Sequence, residues 1–526
     1  MIKRNKALLG IAGTVLSLSL IIAGCSGGKP GTAITPEDFE TAQEKPIEIT
    51  IASDFDPPDD DGNFVQTYLE KKFKVKIHNV RYDRTVWRGK FNVDLVSGTV
   101  PDIFIGDATE SDMIQWADQG LIASISVDEI RTYMPKYIED VESVAADAWA
   151  VGTYQGKNWG VPKVWGDGAT GFAPAYNGER LKAIGYDEPP QTLEELEDVL
   201  TKFANGDPDG NGVKDTFGLT GRGKDYTPQM FNSIFAAFGV APYQFKQDAD
   251  GKLVYGGITE QSRETLKLLN KWYKAGIIDP EFITADNGKI QQYFVNGRIG
   301  MIDTGLWHHL HETGYFGKAA KDSGVSMVIG KPVIGPAGDR YAMAQGALQA
   351  PLMFGKQLET NEKKRTLILQ MLEFIATNPE GYLTTRFGEQ GVHYDLQGEL
   401  AVPKPEYIDG GARGAEIGAG GFYNPFGGKV KSMLKHEVSK EKLKFMEEVT
   451  SGVRTITDAL GLSVLPSRSK YGAILKTLQD QYFVKAITGE ADADYDFEQF
   501  VEQWLKSGGK EVTEEANKLY RERNNP

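Results

Sequence analysis

Residues 91–107, FNVDLVSGTVPDIFIGD, read as the end of a helix, a glycine stop and a short apolar strand that runs out into an acid. Phe91 and Leu95 share one helical face with Trp87 a turn earlier, and Gly98 closes that helix. Asp102–Ile105 is the strand, and Ser111 opens the next helix. The same alternation lies upstream. Ile47, Ile49 and Ile51 alternate with Glu48 and Thr50 as in a half-buried strand. Val65, Tyr68, Leu69 and Phe73 stand at helical spacing within 64–73, and 75–80 is a second strand. Strand and helix in turn imply a parallel sheet with helices on both faces, and ligands on such sheets sit beyond the carboxyl ends of the strands.

Outward from this block, the N-terminus reads as an export signal. Lys3, Arg4 and Lys6 precede an uncharged, mostly apolar run from Ala7 to Ala23. It stops at Ile22-Ala23-Gly24-Cys25, a lipobox: small residues before a cleavage point, then a thiol that takes a diacylglycerol. Residues 1–24 are therefore expected to be removed and Cys25 to carry the lipid. The run is shorter than the ~20 apolar residues that a spanning helix needs. Residues 25–46, rich in Gly, Pro, Thr and acids, read as a tether. Cys25 is the only cysteine, so no disulfide holds the fold. Formal net charge is −15, and loss of the three signal cations makes it more negative. Such a balance argues against nucleic acid and against lying flat on anionic lipid.

Further along, Thr192 and Glu195 form a capping box before the apolar face Leu193, Leu196, Leu200 and Phe203. Other helices are expected near 262–275, 362–377, 440–451 and 497–523, and the Gly-rich stretch 409–426 as a loop. Asp207, Asp209, Asn211 and Asp215 place oxygens at alternate positions, with Gly212 at the turn and the Val213 carbonyl between them. This is the opening of an EF-hand-like loop, whose alternate residues point inward around a hard cation such as Ca²⁺. Thr216 and Gly218 stand where a carboxylate would complete it, so the alternative is a tight Asx turn without metal. His308, His309 and His311 have no carboxylate or cysteine spaced to complete a metal cluster and read as a helix start.

Four stretches together carry a family resemblance. They are Ile47 through FNVDLVSGTVPDIFIGD, MIQWADQGLIASIS at 113–126, GKNWGVPKV at 156–164 followed by PPQTLEELEDVL at 189–200, and YFVNGRIGMIDTGLWHHL at 293–310. With the lipobox, the chain resembles the extracellular solute-binding lipoproteins of carbohydrate ABC importers, the maltose-binding-protein-like group, most closely its large Gram-positive members. The resemblance implies a two-lobed α/β periplasmic-binding-protein (Venus-flytrap) fold with several hinge crossings. Carried over, the N-terminal lobe takes 47–162 and 343–390, and the C-terminal lobe 163–342 and 391–526. Crossings are expected near Val161–Lys163, Met343–Ala350 and Gly388–Val392.

Sugar rings present C–H faces that pack on aromatics and a hydroxyl rim that needs hydrogen-bond partners. The expected cleft therefore contains Trp307 and Tyr423, placed by the resemblance, and Trp165 with Asp167 past the first crossing. Asp107, Phe55 and Asp56 join them at strand ends. The implied role is binding without catalysis, as a monomer on the outer face of the membrane held only by lipid. It would deliver a carbohydrate to ABC permease subunits, with Ca²⁺ as a structural ion. A lipid-anchored glycoside hydrolase or lyase is the alternative, since such enzymes also use aromatics and paired carboxylates. A third is a peptide or metal–chelate receptor on the same fold.

Overall fold

Strand Ile47–Ser53 (β1) pairs in parallel with Val75–Arg81 (β2) on one side and Ile103–Ile105 (β3) on the other, with Ser53 level with both Arg81 and Ile105. The computed structural model to which these elements belong describes residues 45–524 apart from Asp209, Asp225, 311–314 and Val464. The signal, Cys25 and almost all of the tether lie outside the described residues. Val161–Val164 (β4) and Leu348–Phe354 complete the first sheet, in the order β2-β1-β3-(348–354)-β4. The 348–354 strand runs antiparallel to both β3 and β4, so β4 is parallel to β3. Four carboxyl ends thus emerge at one edge.

Period-two alternation decides what each sheet face buries. Ile51, Ile103, Ile105 and Phe354 point into one core, with Val65 and Leu69 of the helix Phe64–Phe73 (α1). Ala52, Phe104 and Met353 point the other way, onto Trp87, Phe91 and Leu95 of Trp87–Val96 (α2) and Trp116 of Glu110–Asp118 (α3). Phe91 and Phe104 stack at 3.9 Å between ring centroids. Helix α3 begins at Glu110 rather than Ser111, because Thr109 caps it: Thr109 and Asp112 exchange side-chain and backbone hydrogen bonds in a capping box.

The second lobe is built on a smaller antiparallel sheet, Met301–Gly305, Phe172–Asn177 (β5) and Met327–Ile329, with β5 in the middle. Its larger core gathers Leu196, Leu200 and Phe203 of Leu193–Asn205, Leu266, Leu269 and Trp272 of Glu260–Lys274, and three C-terminal helices. One of these, Pro466–Thr488, was not legible beforehand. Its buried positions include Ser467 and Gln479, and the Gln479 Nε2 donates to the Pro242 carbonyl at 3.0 Å, so no apolar stripe marks it. The expected single helix over 497–523 is two, Phe497–Trp504 and Lys510–Asn524. They are split by a π turn with Gly508 at φ 116°. The two lobes are joined by three crossings, giving a two-lobed α/β binding-protein fold.

The first crossing is Trp165–Gly171, between β4 and β5, and the second is 344–347. They are zipped together: Trp165 N–H donates to the Ala347 carbonyl (2.7 Å), and the Gln345 and Gly346 amides donate to the Gly168 carbonyl (3.0 and 3.1 Å). The third crossing is not at Gly388–Val392. Residues beyond 390 stay with the first lobe: Ile417, Phe422, Tyr423, Phe426, Val430 and Met433 fill its core, and Glu437 is bound by Arg386 and Tyr382. The chain leaves the first lobe through Lys440–Thr450, whose Val449 packs on Ala173 and Leu306, and enters the second lobe through the strand Arg454–Ile456 beside Tyr341–Met343. The expected boundary at 390/391 therefore moves some 50 residues downstream. Stretch 409–426 is not all loop either. Asp409 caps the helix Gly410–Ile417, and glycines at 410, 411 and 414 hide it from propensity.

Candidate functional site

The parallel edge of the first sheet collects five side chains that the sequence spreads over more than 100 positions. Asp54 follows β1, Arg84 follows β2, Asp107 follows β3, Lys163 stands near the end of β4, and Trp165 comes directly after it. Because the strand ends are level, these groups form one wall, beyond the carboxyl ends of the strands, where α/β sheets bind ligands.

Arg84 organises this wall. One guanidinium nitrogen lies 3.3 Å from Asp54 and another 2.5 Å from Asp107, and the guanidinium sits 4.4 Å over the Phe55 ring. Arg88 adds a hydrogen bond to the Asp107 carbonyl at 3.0 Å. The Asp54 side chain is fully covered, and its Oδ1 has no hydrogen-bond partner among the described residues. Burial pushes its carboxyl up to about 6 against the pull of Arg84. Burial likewise holds the Lys163 ammonium below its ordinary value, opposed by Asp107 and Asp54.

The crossover supplies the aromatic surface. Trp165 and Trp307 meet edge to face at 4.9 Å, and Phe172 closes on Trp307 at 5.5 Å. Trp307 is nearly buried in this cluster with Met343 and Ala241, whereas Trp165 packs on its rim and is partly buried. Asp167 lies two residues on, in the first turn of Gly166–Thr170. Phe55, Asp107, Trp165, Asp167 and Trp307 thus belong to the strand-end edge and the adjoining crossover.

Two expected site residues are engaged elsewhere. Tyr423 is not a sugar platform: it is 1% exposed in the first-lobe core, its hydroxyl accepting from Asn63 and donating to Asn79, each at 3.0 Å. Asp56 is turned away from the wall. At φ 41° its carboxylate accepts the Gly421 N–H at 2.9 Å and so holds the glycine-rich segment in place. Gly414 lies so close to Asp56 that a Cβ there would meet Asp56 backbone at 2.7 Å.

The missed residues are Asp54, Arg84 and Lys163. Asp54 is two positions before the chosen Asp56. A lysine inside the apolar run VPKV was a readable signal, since a strand buried along its whole length does not carry an ammonium without reason. His309 is a core group, its Nε2 3.0 Å from the Ala173 carbonyl, with burial pulling its imidazole down to about 4. His311 lies outside the described residues. A cavity inside the second lobe, between Arg222 and Asp303, holds about 10 Å³, room for about one water rather than a sugar.

In the EF-hand-like loop the Asp207 carboxylate accepts the Asn211 and Gly212 amides (3.1 and 2.9 Å), and Asn211 Oδ1 accepts the Val213 N–H (2.6 Å). Thr216 is buried, its hydroxyl on the Phe203 carbonyl at 2.7 Å. At Gly218 a Cβ would meet Leu200 and Ile277 at 2.9 Å, so no side chain reaches in from the twelfth position. Asp209 lies outside the described residues.

Residues 63–351 match the family model described as bacterial extracellular solute-binding protein, more than half of the chain, and the protein belongs to that family. Among relatives, it is 28% identical over 292 residues to the fructooligosaccharide ABC transporter substrate-binding protein FusA of Streptococcus pneumoniae. That match covers 52% of this chain and 53% of FusA, so it spans about half of that relative's length. It is 23% identical over 528 residues to the polygalacturonan/rhamnogalacturonan-binding protein YtcQ of Bacillus subtilis, covering 97% of each. The solved structure of S. pneumoniae FusA in complex with kestose superposes with a TM-score of 0.68 at 18% identity, over 91% of this chain and 99% of that one. No helix among the described residues is long and apolar enough to cross a membrane.

Proposed function

We propose that this protein is the cell-surface receptor of an ABC importer, and that it captures an oligosaccharide between its lobes. The observation that carries this reading is the partly buried indole of Trp165 beside hydrogen-bonding side chains at the strand ends of the first lobe. An apolar ring face next to convergent polar groups is what a sugar ring and its hydroxyl rim require. The names of FusA and YtcQ, both glycan binders, support the class of ligand. The paired crossings are the element on which the lobes swing, so a ligand touching both walls favours the closed form.

The role is binding rather than hydrolysis. A glycoside hydrolase sets two carboxyl groups on opposite sides of the scissile bond, whereas Asp54 and Asp107 share one lobe and one arginine. Lipid on Cys25, with residues 26–46 as tether, would hold the receptor monomer beside its permease subunits on the outer face. A calcium ion on Asp207, Asp209, Asn211, the Val213 carbonyl and Asp215 would brace a surface loop of the second lobe. With the twelfth position closed, we read this as a weak structural site. Calorimetric titration with neutral and acidic oligosaccharides tests the reading. A stoichiometric glycan complex is expected, and binding of peptides or metal chelates with no glycan response would reject it.

A further inference from the structure

The strand-end wall has more cations than its own acids can pair. Arg84 engages both Asp54 and Asp107. Lys163 is 6% exposed, and its ammonium makes no ion pair or hydrogen bond among the described residues; Asp107 and Asp54 act on it only at longer range. Lys429 follows the glycine-rich segment that Asp56 holds in place, and Lys163, Asp107 and Arg84 of the wall act on it. Its ammonium has one hydrogen bond, to the Pro425 carbonyl at 3.3 Å, and no carboxylate at ion-pair distance. The charges acting most strongly on Lys429 are Lys163, Arg386 and Arg84, opposed by Asp107. Of the acids around it, Glu437 holds Arg386 and the Tyr382 hydroxyl, Asp56 holds Gly421, and Asp112 pairs with Arg88.

Two ammonium groups that act in the field of this wall without a carboxylate at ion-pair distance cost stability unless something offsets them. Burial lowers both, Lys429 to about 7. We infer that Lys163 and Lys429 bind an anionic substituent of the ligand, so that the glycan captured in this cleft is an acidic one carrying carboxylates on its rings. Arg84 and Arg88 border the same place, but their donors are taken by Asp54, Asp107 and Asp112, which leaves the lysines as the groups offered. Trp165, next along the chain from Val164, lies near enough at this edge to receive the ring that bears the acid. This rests on the reading of the cleft as a glycan site and sharpens it to a substrate class.

The test is calorimetric titration of the full chain with trigalacturonate, with galactotriose as its uncharged counterpart and a sulfated galactose disaccharide. Trigalacturonate is expected to bind, and galactotriose at least ~10-fold more weakly. Affinity for the acid should fall as salt is raised. It should also fall as pH goes from about 6 to 8.5, because the Lys429 ammonium, lowered to about 7, loses its proton while the uronate stays charged. Lys429→Met should weaken trigalacturonate about 10- to 100-fold and flatten the pH profile. Because Lys163 is buried, Lys163→Met is read only if its melting temperature stays near that of the parent. Sulfate binding as tightly as uronate would overturn the carboxylate assignment. Equal affinity for galactotriose, or an unchanged Lys429→Met, would overturn the inference and leave the glycan reading standing. Binding of none of the three, with peptides bound instead, would remove both.

Discussion

On the first-lobe side of the cleft, side chains from four strand ends are held by charge and hydrogen bonding; on the crossover side, two indoles are held by packing. The first wall is exact because its strands are level, so residues far apart in sequence arrive together. The second is exact because Trp307 is wedged among Phe172, Met343 and Ala241 and gives Trp165 something to lean on. The comparison teaches a division of labour: in the aromatic wall one ring supports and the other is offered, while in the polar wall one arginine supports and the lysines are offered.

The largest effect should separate the two tryptophans. Trp307→Ala opens a void in the crossover cluster and should cost ~3–5 kcal/mol of stability, read in denaturant unfolding. Trp165→Ala should leave unfolding nearly unchanged but weaken glycan binding by about 2 kcal/mol, roughly 30-fold. Equal effects of both on stability would erase the distinction.

A smaller effect probes the polar wall through pH. The folded-state carboxyl of Asp54 is raised to about 6 from 3.8, so between these values the native state binds more protons than the unfolded chain. Stability from this group is present at low pH and is lost as pH rises through 6. Asp54→Asn should therefore gain on the parent at pH 8, by at most ~2–3 kcal/mol, and the gain should vanish near pH 4. A pH-independent difference in melting temperature would mean that burial does not raise the Asp54 carboxyl.

A contact between the lobes gives a subtler probe. Glu110 of α3 accepts the Leu465 N–H at 2.6 Å from the second lobe, and burial pushes its carboxyl up to about 7 against Arg468. Glu110→Ala should shift lobe closure by about 1 kcal/mol, seen as a change in glycan affinity without loss of the binding enthalpy from either wall. Smallest of all, saturating calcium should raise the melting temperature by about 1–2 °C, and Asp207→Ala should abolish the rise.

The strand–helix order of 47–118 was legible because apolar alternation, helical spacing and a glycine stop all agreed there. Positions at strand ends were legible too, which is how Phe55 and Asp107 were found. What stayed hidden depended on the far side of the fold. Tyr423 in a glycine-rich stretch reads as an exposed ring, yet Asn63 and Asn79, about 350 residues away, bind its hydroxyl inside the core. The third crossing was misplaced because glycines disguise a helix that caps the first lobe. Helix 466–488 was unreadable because a buried glutamine breaks its apolar face.

The most direct test of the central claim, that two hinged lobes close on a glycan, is small-angle X-ray scattering across a titration with a bound oligosaccharide. The radius of gyration should fall and reach a plateau at one equivalent. A glycan that binds with no change in the radius at saturation would contradict closure.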